Sequence, residues 1–429
     1  MTTCVVGLGK IGLPLAVQIA SKGEHVIGAD INTSVVEQVN QAQVPFPGED
    51  NLPDLLVSVT EKGLLEASSN TEEAVRKSDF VIVVVPVIVD DAANPDFSAI
   101  DSATHDISRG LTSGTLVCYE TTLPIGTTRT RFAPILEQAS GLTCGTDMFI
   151  AYSPERVFSG RVFADLRAYP KLVGGLDPAS TDRAVAFYER ILDFDERSDL
   201  SRPNGVWNLE KAEAAEMAKL AETTYRNVNI ALANEFALHA QDLALDAYSI
   251  IEASNSQPFS HIHLPGVAVG GHCIPVYPKF YMHTDSECTL PKAAVNLNES
   301  MPAKVIQFTA EEYGSLKNAQ IAVMGLTYRG DVKETAFSGA FPLVEEIRDR
   351  GGIVTIHDPL FTEKEIRSLG LEPHKLGDFC DIAIIQADHA LYSTLTTKDF
   401  PETKLIIDGR NVIDQSMVEP IPVKVLGRG

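Results

Sequence analysis

The feature that most constrains the fold is a glycine-rich turn near the N-terminus, Gly7-Leu8-Gly9-Lys10-Ile11-Gly12, which follows an apolar run. At the first turn of a βαβ unit, such glycines allow a tight bend, close approach of a pyrophosphate and close helix–strand packing. Asp30 ends the next apolar run, where a carboxylate can accept hydrogen bonds from both ribose hydroxyls and would repel a 2′-phosphate. We therefore predict NAD as the cofactor, ahead of FAD or a turn without cofactor. The predicted cofactor-binding residues in this turn and after it are Gly7, Gly9, Lys10, Ile11, Gly12 and Asp30.

The pattern of apolar runs predicts an α/β protein with two doubly wound, Rossmann-like domains, because strand-like and helix-like segments alternate in both halves. The predicted strands of the first half are Cys4–Gly7, His25–Asp30, Phe80–Val85, Leu116–Glu120 and Met148–Ala151. Those of the second half are Ile321–Gly325, Ile353–His357, Ile382–Gln386 and Leu405–Asp408.

The middle of the chain follows a different pattern. Asn208–Leu245 contains neither Pro nor Gly and is rich in Ala, Glu and Leu, which predicts one long helix. A Gly-, Pro- and His-rich loop at 255–280 and a short helix at Pro302–Tyr313 are predicted after it. We expect an NAD-binding domain at 1–200, a central helical region at 201–300 that forms a homodimer, and a C-terminal domain at 301–429.

The balance of charge restricts the partners. With 35 basic and 58 acidic residues the formal net charge is −23, which argues against nucleic acid and anionic membranes. The six cysteines show no metal-type spacing, so no metal site is predicted. Their scatter, the absence of a run of about 20 apolar residues and the lack of a signal-like N-terminus favour a cytoplasmic protein.

Three further segments contain groups suited to catalysis. Glu155, in Ala151-Tyr152-Ser153-Pro154-Glu155-Arg156, follows a predicted strand and could act as a base or orient water. Lys219, with Thr223 one turn later, could stabilise an oxyanion. Cys273, in Gly270-Gly271-His272-Cys273-Ile274-Pro275, could add to an aldehyde and hold an acyl group as a thioester. Considered singly, each also fits an ordinary role, as a solvated Glu, an exposed Lys or a structural Cys.

Taken together, these segments resemble the UDP-glucose/GDP-mannose dehydrogenase family over essentially the whole chain. The loop around Cys273 is similar to the family's nucleophile loop, and Ser153-Pro154-Glu155-Arg156-Val157 looks like the branch acting on UDP-N-acetylhexosamines, UDP-GlcNAc or UDP-ManNAc. The resemblance implies four-electron oxidation of a sugar C6 CH2OH to the uronate by NAD. UDP-glucose or GDP-mannose as substrate, a different dehydrogenase releasing one NADH, and a nucleotide-binding regulator are the alternatives.

The resemblance also implies roles for single residues. Cys273 would be the nucleophile, Lys219 the oxyanion-stabilising lysine, and Glu155 the glutamate acting with water in thioester hydrolysis. The remaining expected site residues are Thr122 and Thr223 in catalysis; Pro86, Thr122 and Glu155 at the cofactor; and Glu155, Arg156, Lys219, His263, Gly270, Tyr328, Arg329 and Arg410 at the nucleotide sugar.

Four places depart from the family pattern. Tyr277 stands where an Asp is usual, and Thr223 stands where an Asn is usual. The loop Pro258-Phe259-Ser260-His261 lacks the usual Arg, for which His261 or His263 would substitute, and Ala336-Phe337-Ser338 replaces Arg-Glu-Ser. These changes concern water activation and sugar recognition, and they leave Cys273, Lys219 and Glu155 in place.

Overall fold

The computed structural model describes residues 1–90, 93–158 and 160–429. The chain forms two compact units, unit 1 at Met1–Ala221 and unit 2 at Glu222–Gly429. Each unit is built on its own largely parallel sheet, so the predicted α/β class with two doubly wound sheets is confirmed.

Unit 1 contains, among the residues described, an eight-stranded sheet in the order β10-β9-β8-β7-β4-β1-β2-β3. Its strands pair in parallel except for the antiparallel pair of β8 with β9. The strands, with the short hairpin β5–β6, are β1 Thr2–Val6, β2 His25–Ala29, β3 Leu65–Ser68, β4 Phe80–Val83, β5 Ile88–Val89, β6 Pro95–Asp96, β7 Leu116–Tyr119, β8 Phe149–Tyr152, β9 Lys171–Gly175 and β10 Val206–Lys211. The central strands are apolar throughout because helices cover both faces of a parallel sheet.

The helices of unit 1 pack against this sheet, and three of those described, α2, α4 and α8, begin at polar caps. Asn32, Asn70 and Asp177 each accept a hydrogen bond from a backbone N–H of the first turn that follows. The helices are α1 Gly12–Ser21, α2 Thr33–Asn40, α3 Leu52–Glu61, α4 Thr71–Arg76, α5 Ser98–Gly110, α6 Ala133–Ser140, α7 Val162–Ala168 and α8 Pro178–Ile191, with a π-helical turn at Thr128–Phe132. The next helix, α9 Ala212–Asp242, contains the boundary between the units.

Unit 2 contains a parallel sheet in the order β12-β11-β13-β14-β15. Its strands are β11 Gln320–Met324, β12 Ile353–His357, β13 Ile382–Ile385, β14 Leu405–Asp408 and β15 Val423–Val425. Its helices after α9 are α10 Ala247–Asn255, α11 Tyr277–Thr284, α12 Leu290–Tyr313, α13 Ala340–Asp349, α14 Glu363–Ser368 and α15 Gln415–Val418, with a 3-10 turn at Ala390–Thr394.

Two predicted helix boundaries in the middle of the chain are wrong. The predicted helix at Asn208–Leu245 begins four residues later, because Val206–Lys211 pairs with β9 as the edge strand β10. The predicted short helix at Pro302–Tyr313 is the second half of the 24-residue α12. Pro302 lies inside that helix, where its missing N–H weakens the ladder without ending it.

Across the described ranges, no helix is both long enough and apolar enough to span a bilayer.

Candidate active site

The glycine-rich turn connects β1 to α1, and each glycine has a separate steric reason. Gly7 has a φ of +96°, in the left-handed region. A Cβ on Gly12 would lie 1.8 Å from the Gly7 carbonyl oxygen, so only glycine allows α1 to approach β1. A Cβ on Gly9 would meet nothing within 4 Å. The backbone at Gly9 is therefore open to a ligand.

Asp30 follows β2 and supports this turn. Its Oδ2 accepts the N–H of Leu8 at 2.8 Å, and its Oδ1 accepts the N–H of Asn32 at 2.9 Å. Each carboxylate oxygen keeps a second lone pair for a hydroxyl donor. The open backbone at Gly9, the start of α1 at Gly12 and this carboxylate fit the pyrophosphate and ribose of NAD.

The other predicted groups of unit 1 follow strands of the same sheet. Pro86 is exposed just after β4, and the Thr121 hydroxyl donates to the Val85 carbonyl at 2.7 Å. Thr122, after β7, is 5% exposed. Because Tyr119 is the register partner of Tyr152, the segments carrying Thr122 and Glu155 leave the sheet side by side. The cofactor turn and these polar groups thus share the carboxyl edge of the sheet, where ligands bind in doubly wound folds.

Glu155 is held at both its main chain and its side chain. Its carbonyl oxygen accepts from Lys219 Nζ at 2.7 Å, and its Oε1 accepts from Lys171 Nζ at 3.0 Å. Its Oε2 is buried and has no hydrogen-bond partner among the residues that the structure describes. The structure therefore brings Glu155 and Lys219 into direct contact.

Behind Glu155 lies a buried charged cluster, which we define as Glu120, Lys171, Tyr188 and Cys118 together with Glu155. Lys171 Nζ also donates to Glu120 Oε2 at 2.8 Å. The Tyr188 hydroxyl donates to Glu120 Oε1 and contacts Cys118 Sγ at 3.2 Å. Burial raises the pKa of Glu120 to about 7, although Lys171 opposes the rise. The pKa of Lys171 is raised to about 12, because the two carboxylates outweigh its burial.

Sequence reasoning missed Glu120 and Lys171. The available signal was a charged residue at the end or start of an otherwise apolar strand, Leu116–Glu120 and Lys171–Gly175. A charge in such a place is rarely buried without a partner.

A second buried carboxylate fixes the segment after Thr122. Glu216, on α9, accepts from the N–H of Gly126 at 2.5 Å and from the N–H and hydroxyl of Thr128 at 2.9 and 2.7 Å. Burial raises the pKa of Glu216 to about 7, against these hydrogen bonds. One helix therefore anchors the Thr122 segment through Glu216 and contacts Glu155 through Lys219, one turn later.

In unit 2, the paired glycines let the loop at 270–275, the Cys273 loop, pack against Tyr328. A Cβ on Gly270 would lie 2.5 Å from the Tyr328 Cβ, and one on Gly271 would lie 3.0 Å from its ring. The N–H of Gly271 donates to the Ala336 carbonyl at 2.8 Å. Gly270 and Tyr328, both predicted at the nucleotide sugar, are thus in direct contact.

Cys273 is half-buried and lies just before α11. Its carbonyl accepts the N–H of Val276 at 3.2 Å and that of Tyr277 at 2.9 Å. Asn227, on α9, donates to the Ile274 carbonyl at 3.4 Å. The carbonyl groups of Cys273 and of the residue after it are therefore both hydrogen-bonded.

A cavity of about 300 Å³ lies beside the Cys273 loop. Its lining is Asn227, Ala268, Val269, Pro275, Lys279, Val295, Asn298, Glu299, Pro302, Phe337, Ser338, Phe341 and Pro342. The buried Oδ1 of Asn227 has no hydrogen-bond partner. The cavity thus combines apolar walls with an amide acceptor.

The segment carrying Tyr328 and Arg329 is fixed by a buried histidine. His389 contacts the Thr327 hydroxyl at 2.8 Å, Asp358 Oδ2 at 3.0 Å and the N–H of Asp331 at 3.0 Å. Arg329 lies over the Tyr328 ring, 5.7 Å from its centroid. The segment that carries Tyr328 and Arg329 is therefore held in place on both sides of the pair.

The remaining predicted residues have backbone-directed or buried positions. Arg410 Nε donates to the Gln386 carbonyl at 2.7 Å, and burial lowers the pKa of Arg410. Arg156 Nη2 donates to the Pro170 carbonyl, and the N–H of His263 donates to Asn229 Oδ1 at 2.8 Å. Thr223 is fully buried on α9. These contacts leave Arg410 and Arg156 partly engaged before any phosphate binds.

Three consecutive segments of the chain match the domains of one protein family. Residues 1–192 match the NAD binding domain of the UDP-glucose/GDP-mannose dehydrogenase family. Residues 213–301 match its central domain, and residues 322–415 match its UDP binding domain.

Individual relatives match over nearly their whole length. A UDP-N-acetyl-D-mannosamine dehydrogenase of Pyrococcus horikoshii is 35% identical, with 100% of each chain covered. An NDP-N-acetyl-D-galactosaminuronic acid dehydrogenase of Ralstonia solanacearum is 30% identical, with 96% of each covered. The solved structure of the UDP-N-acetyl-mannosamine dehydrogenase of Staphylococcus aureus is 30% identical and superposes with a TM-score of 0.85, covering 100% of this chain and 99% of that one.

Proposed function

The chain belongs to the UDP-glucose/GDP-mannose dehydrogenase family and is an NAD-dependent nucleotide-sugar dehydrogenase, and from this premise we propose that it oxidises the C6 CH2OH of UDP-N-acetyl-D-mannosamine to a carboxylate. The observation that carries the choice of sugar is the end-to-end similarity to a dehydrogenase of that sugar. UDP-GlcNAc is the second candidate, and UDP-glucose and GDP-mannose are the further alternatives.

In unit 1, Gly7–Gly12 and Asp30 would hold NAD, which when bound supplies the hydride acceptor for each two-electron oxidation. The ammonium of Lys219 would stabilise negative charge on the C6 oxygen, since a preorganised cation lowers the barrier by a few kcal/mol. Glu155 Oε2, which is buried and has no partner in residues 1–90, 93–158 and 160–429, can accept a proton or orient water. Thr122 would bind next to that water.

In unit 2, we propose Cys273 as the nucleophile. Its thiolate adds to the aldehyde carbon, so a C–S bond forms and the carbonyl oxygen takes a proton, giving a thiohemiacetal. The second oxidation converts this group to a thioester. Water then adds to the thioester carbon, the C–S bond breaks, and the thiolate leaves as the carboxylate forms. Covalent attachment keeps the aldehyde from escaping between the two oxidations.

The nucleotide sugar would be held by His263, Gly270, Tyr328, Arg329 and Arg410. Tyr328 supplies an aromatic surface whose position is fixed by Gly270 and Gly271. Arg329 and Arg410 supply the charge that a diphosphate requires, because a guanidinium can bind phosphate oxygens in pairs.

Two residues replace groups usual in the family near these steps. Tyr277 begins α11, and its N–H binds the Cys273 carbonyl. Thr223, with a hydroxyl in place of an amide, would act one turn after Lys219.

We also propose the assignment of the domains and the assembly. Residues 1–200 would bind NAD, 201–300 would provide the Cys273 loop and the dimer contact, and 301–429 would bind the nucleotide sugar in the cytoplasm. The central region would form a homodimer through the exposed face of α9 at Tyr225, Leu232 and Phe236, which are 55%, 42% and 40% exposed. Their spacing of seven and four residues places them along one side of the helix.

The test is the number of NADH molecules formed per uronate, measured with purified protein and four sugars: UDP-ManNAc, UDP-GlcNAc, UDP-glucose and GDP-mannose. Two NADH per uronate with UDP-ManNAc as the preferred substrate is the expected result. Preference for another sugar would overturn the substrate assignment alone. One NADH with accumulated aldehyde would overturn the covalent route, and no NADH with any sugar would favour the regulator.

A further inference from the structure

We propose that Lys171 is a positioning residue for Glu155, held in place by Glu120, and that it fixes the direction and charge of the carboxylate that acts on substrate or water. The inference rests on the role proposed for Glu155. Neither Lys171 nor Glu120 was among the residues expected from the sequence.

The geometry places Lys171 between two carboxylates. Its Nζ lies 2.8 Å from Glu120 Oε2 and 3.0 Å from Glu155 Oε1, and its residue is 4% exposed. It also lies 4.7 Å from the centre of the Tyr188 ring. The ammonium is thus held in one location by side chains that follow β7 and β8 and by one on α8, rather than by solvent.

The second carboxylate oxygen of Glu155, Oε2, is the atom that this arrangement leaves for substrate or water. Lys171 donates a hydrogen bond to Oε1, and Lys219 donates one to the Glu155 carbonyl at 2.7 Å, so Glu155 is fixed at two points. Within the described part of the chain, Oε2 remains buried with no hydrogen-bond partner. A buried carboxylate oxygen without a donor is costly, and a donor from substrate or water would remove that cost.

The cluster places two carboxyl groups, those of Glu120 and Glu155, on the ammonium of Lys171, while the ammonium of Lys219 binds the Glu155 carbonyl. Tyr188 and Cys118, also in contact, have pKa values raised by burial and stay neutral near pH 7. Such a buried ion group is poor evidence for stability, since apolar residues of the same size often serve as well or better. Control of Glu155 is a function that apolar residues could not perform.

The test is the pH dependence of kcat for UDP-ManNAc oxidation in charge variants of the cluster. Lys171→Met removes the cation beside Glu155. The acid limb of the kcat profile, where kcat falls at low pH, should therefore move to higher pH by about one to three units. The loss of positioning should lower kcat by about 10²-fold. Lys171→Arg keeps the charge and should restore the position of the limb.

Glu120→Gln provides the opposite change. It leaves Lys171 paired with Glu155 alone, so the acid limb of the kcat profile should lie at or below its wild-type position, on the opposite side from that of Lys171→Met. A cluster with only a structural role would give variants of altered stability whose limbs coincide with that of the wild-type protein.

Two further variants make the experiment decisive. Lys171→Met with Glu120→Gln removes the fully buried Glu120 carboxylate together with its cation, so it should fold where the single Met variant does not, and its acid limb should still lie above that of the wild type. Lys77→Met removes the lysine of an exposed ion pair with Glu73 and should leave kcat and the limb unchanged.

The outcomes separate this inference from the proposed function. Wild-type protein that reduces NAD with none of the four sugars overturns both. Active wild-type protein whose acid limb does not move in the folded Lys171 and Glu120 variants overturns the inference alone.

Discussion

Cys273 is the residue on which the four-electron chemistry depends. Replacing its thiol with the hydroxyl of Cys273→Ser removes the group that can form a thioester, so we expect uronate formation to fall by about 10³-fold or more. The measurement is uronate per protein by chromatography, with NADH followed in the same sample. Aldehyde and no more than one NADH per sugar should be found.

Cys288→Ser is the matched control, because Cys288 is another half-buried cysteine of unit 2. It should retain wild-type uronate formation. Normal uronate output from Cys273→Ser would contradict the covalent route.

Glu216 should make the stability of the fold depend on pH. Burial raises its pKa from the usual 4.5 to about 7, so its favourable contribution is complete below pH 4.5 and is lost as the pH rises through 7. The loss is about 3 kcal/mol in the free energy of unfolding. Glu216→Gln should remove this part of the difference between urea unfolding at pH 5 and at pH 8.

Glu213→Gln, one turn earlier on α9, is the control. Burial would raise the pKa of Glu213, but the hydrogen bond from Arg129 prevails and lowers it. The contribution of Glu213 to the free energy of unfolding is therefore lost only in acid, below the pH range over which urea unfolding is measured. An equal pH dependence in the Glu216→Gln variant and the wild-type protein would contradict the assignment.

At the scale of elements, substitutions in the turn between β1 and α1 distinguish an effect on folding from an effect on cofactor binding. A Cβ on Gly12 would meet the Gly7 carbonyl at 1.8 Å, so Gly12→Ala should destabilise unit 1 by about 1–3 kcal/mol and weaken NAD binding. A Cβ on Gly9 meets nothing within 4 Å, so Gly9→Ala should keep the wild-type unfolding temperature.

The difference between the two variants is measured by NAD titration and by thermal unfolding. Gly9→Ala should raise the Kd for NAD, because the added methyl group occupies the space through which the pyrophosphate approaches. Unchanged NAD binding in a stable Gly9→Ala protein would contradict this position for the cofactor.

The exposed face of α9 gives a prediction about assembly. Leu232→Glu with Phe236→Glu would place two charges in the proposed dimer contact, so the protein should become monomeric in sedimentation at micromolar concentration. Met417→Glu, at another exposed apolar position in unit 2, should leave the mass unchanged. A monomeric wild-type protein would contradict the proposed homodimer.

The elements differ in how well their sequences predict them. The strands Phe80–Val83 and Leu405–Asp408 begin apolar runs that directly follow a charged residue, so their pattern predicts them. Val206–Lys211 ends in two charged residues and lies at a sheet edge, where pairing with β9 rather than propensity determines the strand. The sequence predicts the start of α12 at Pro302, too late in the chain. Tertiary packing tolerates a proline inside this helix that local rules exclude.

At the scale of the whole molecule, the net charge of −23 should act on substrates that are themselves anionic. Raising the salt from about 10 to 150 mM shortens the screening length from about 30 to 8 Å and weakens the repulsion. We therefore expect kcat/KM for the UDP-sugar to rise over this range, while kcat at saturation stays constant. A steady fall would show that the local charge of Arg329 and Arg410 dominates association.

The candidate site was predictable from the sequence only in part. A cysteine after paired glycines and a glutamate after a strand each also fit an ordinary role, so Cys273 and Glu155 could be named only because their segments together resemble one family. Lys171 could not, because its partners are Glu120, 51 positions away, and Glu155, 16 positions away, and only the folded sheet brings them together. Long-range pairs of this kind have no periodic pattern.

The two lysines that hold Glu155 also have a consequence for chemical labelling. Lys171 and Lys219 are 4% and 5% exposed and both donate hydrogen bonds. Reductive methylation of the native protein should therefore modify exposed amines such as Lys77 and spare these two. Peptide mass spectrometry would then use the protected pair as an internal reporter, in any preparation, of how much of unit 1 is folded.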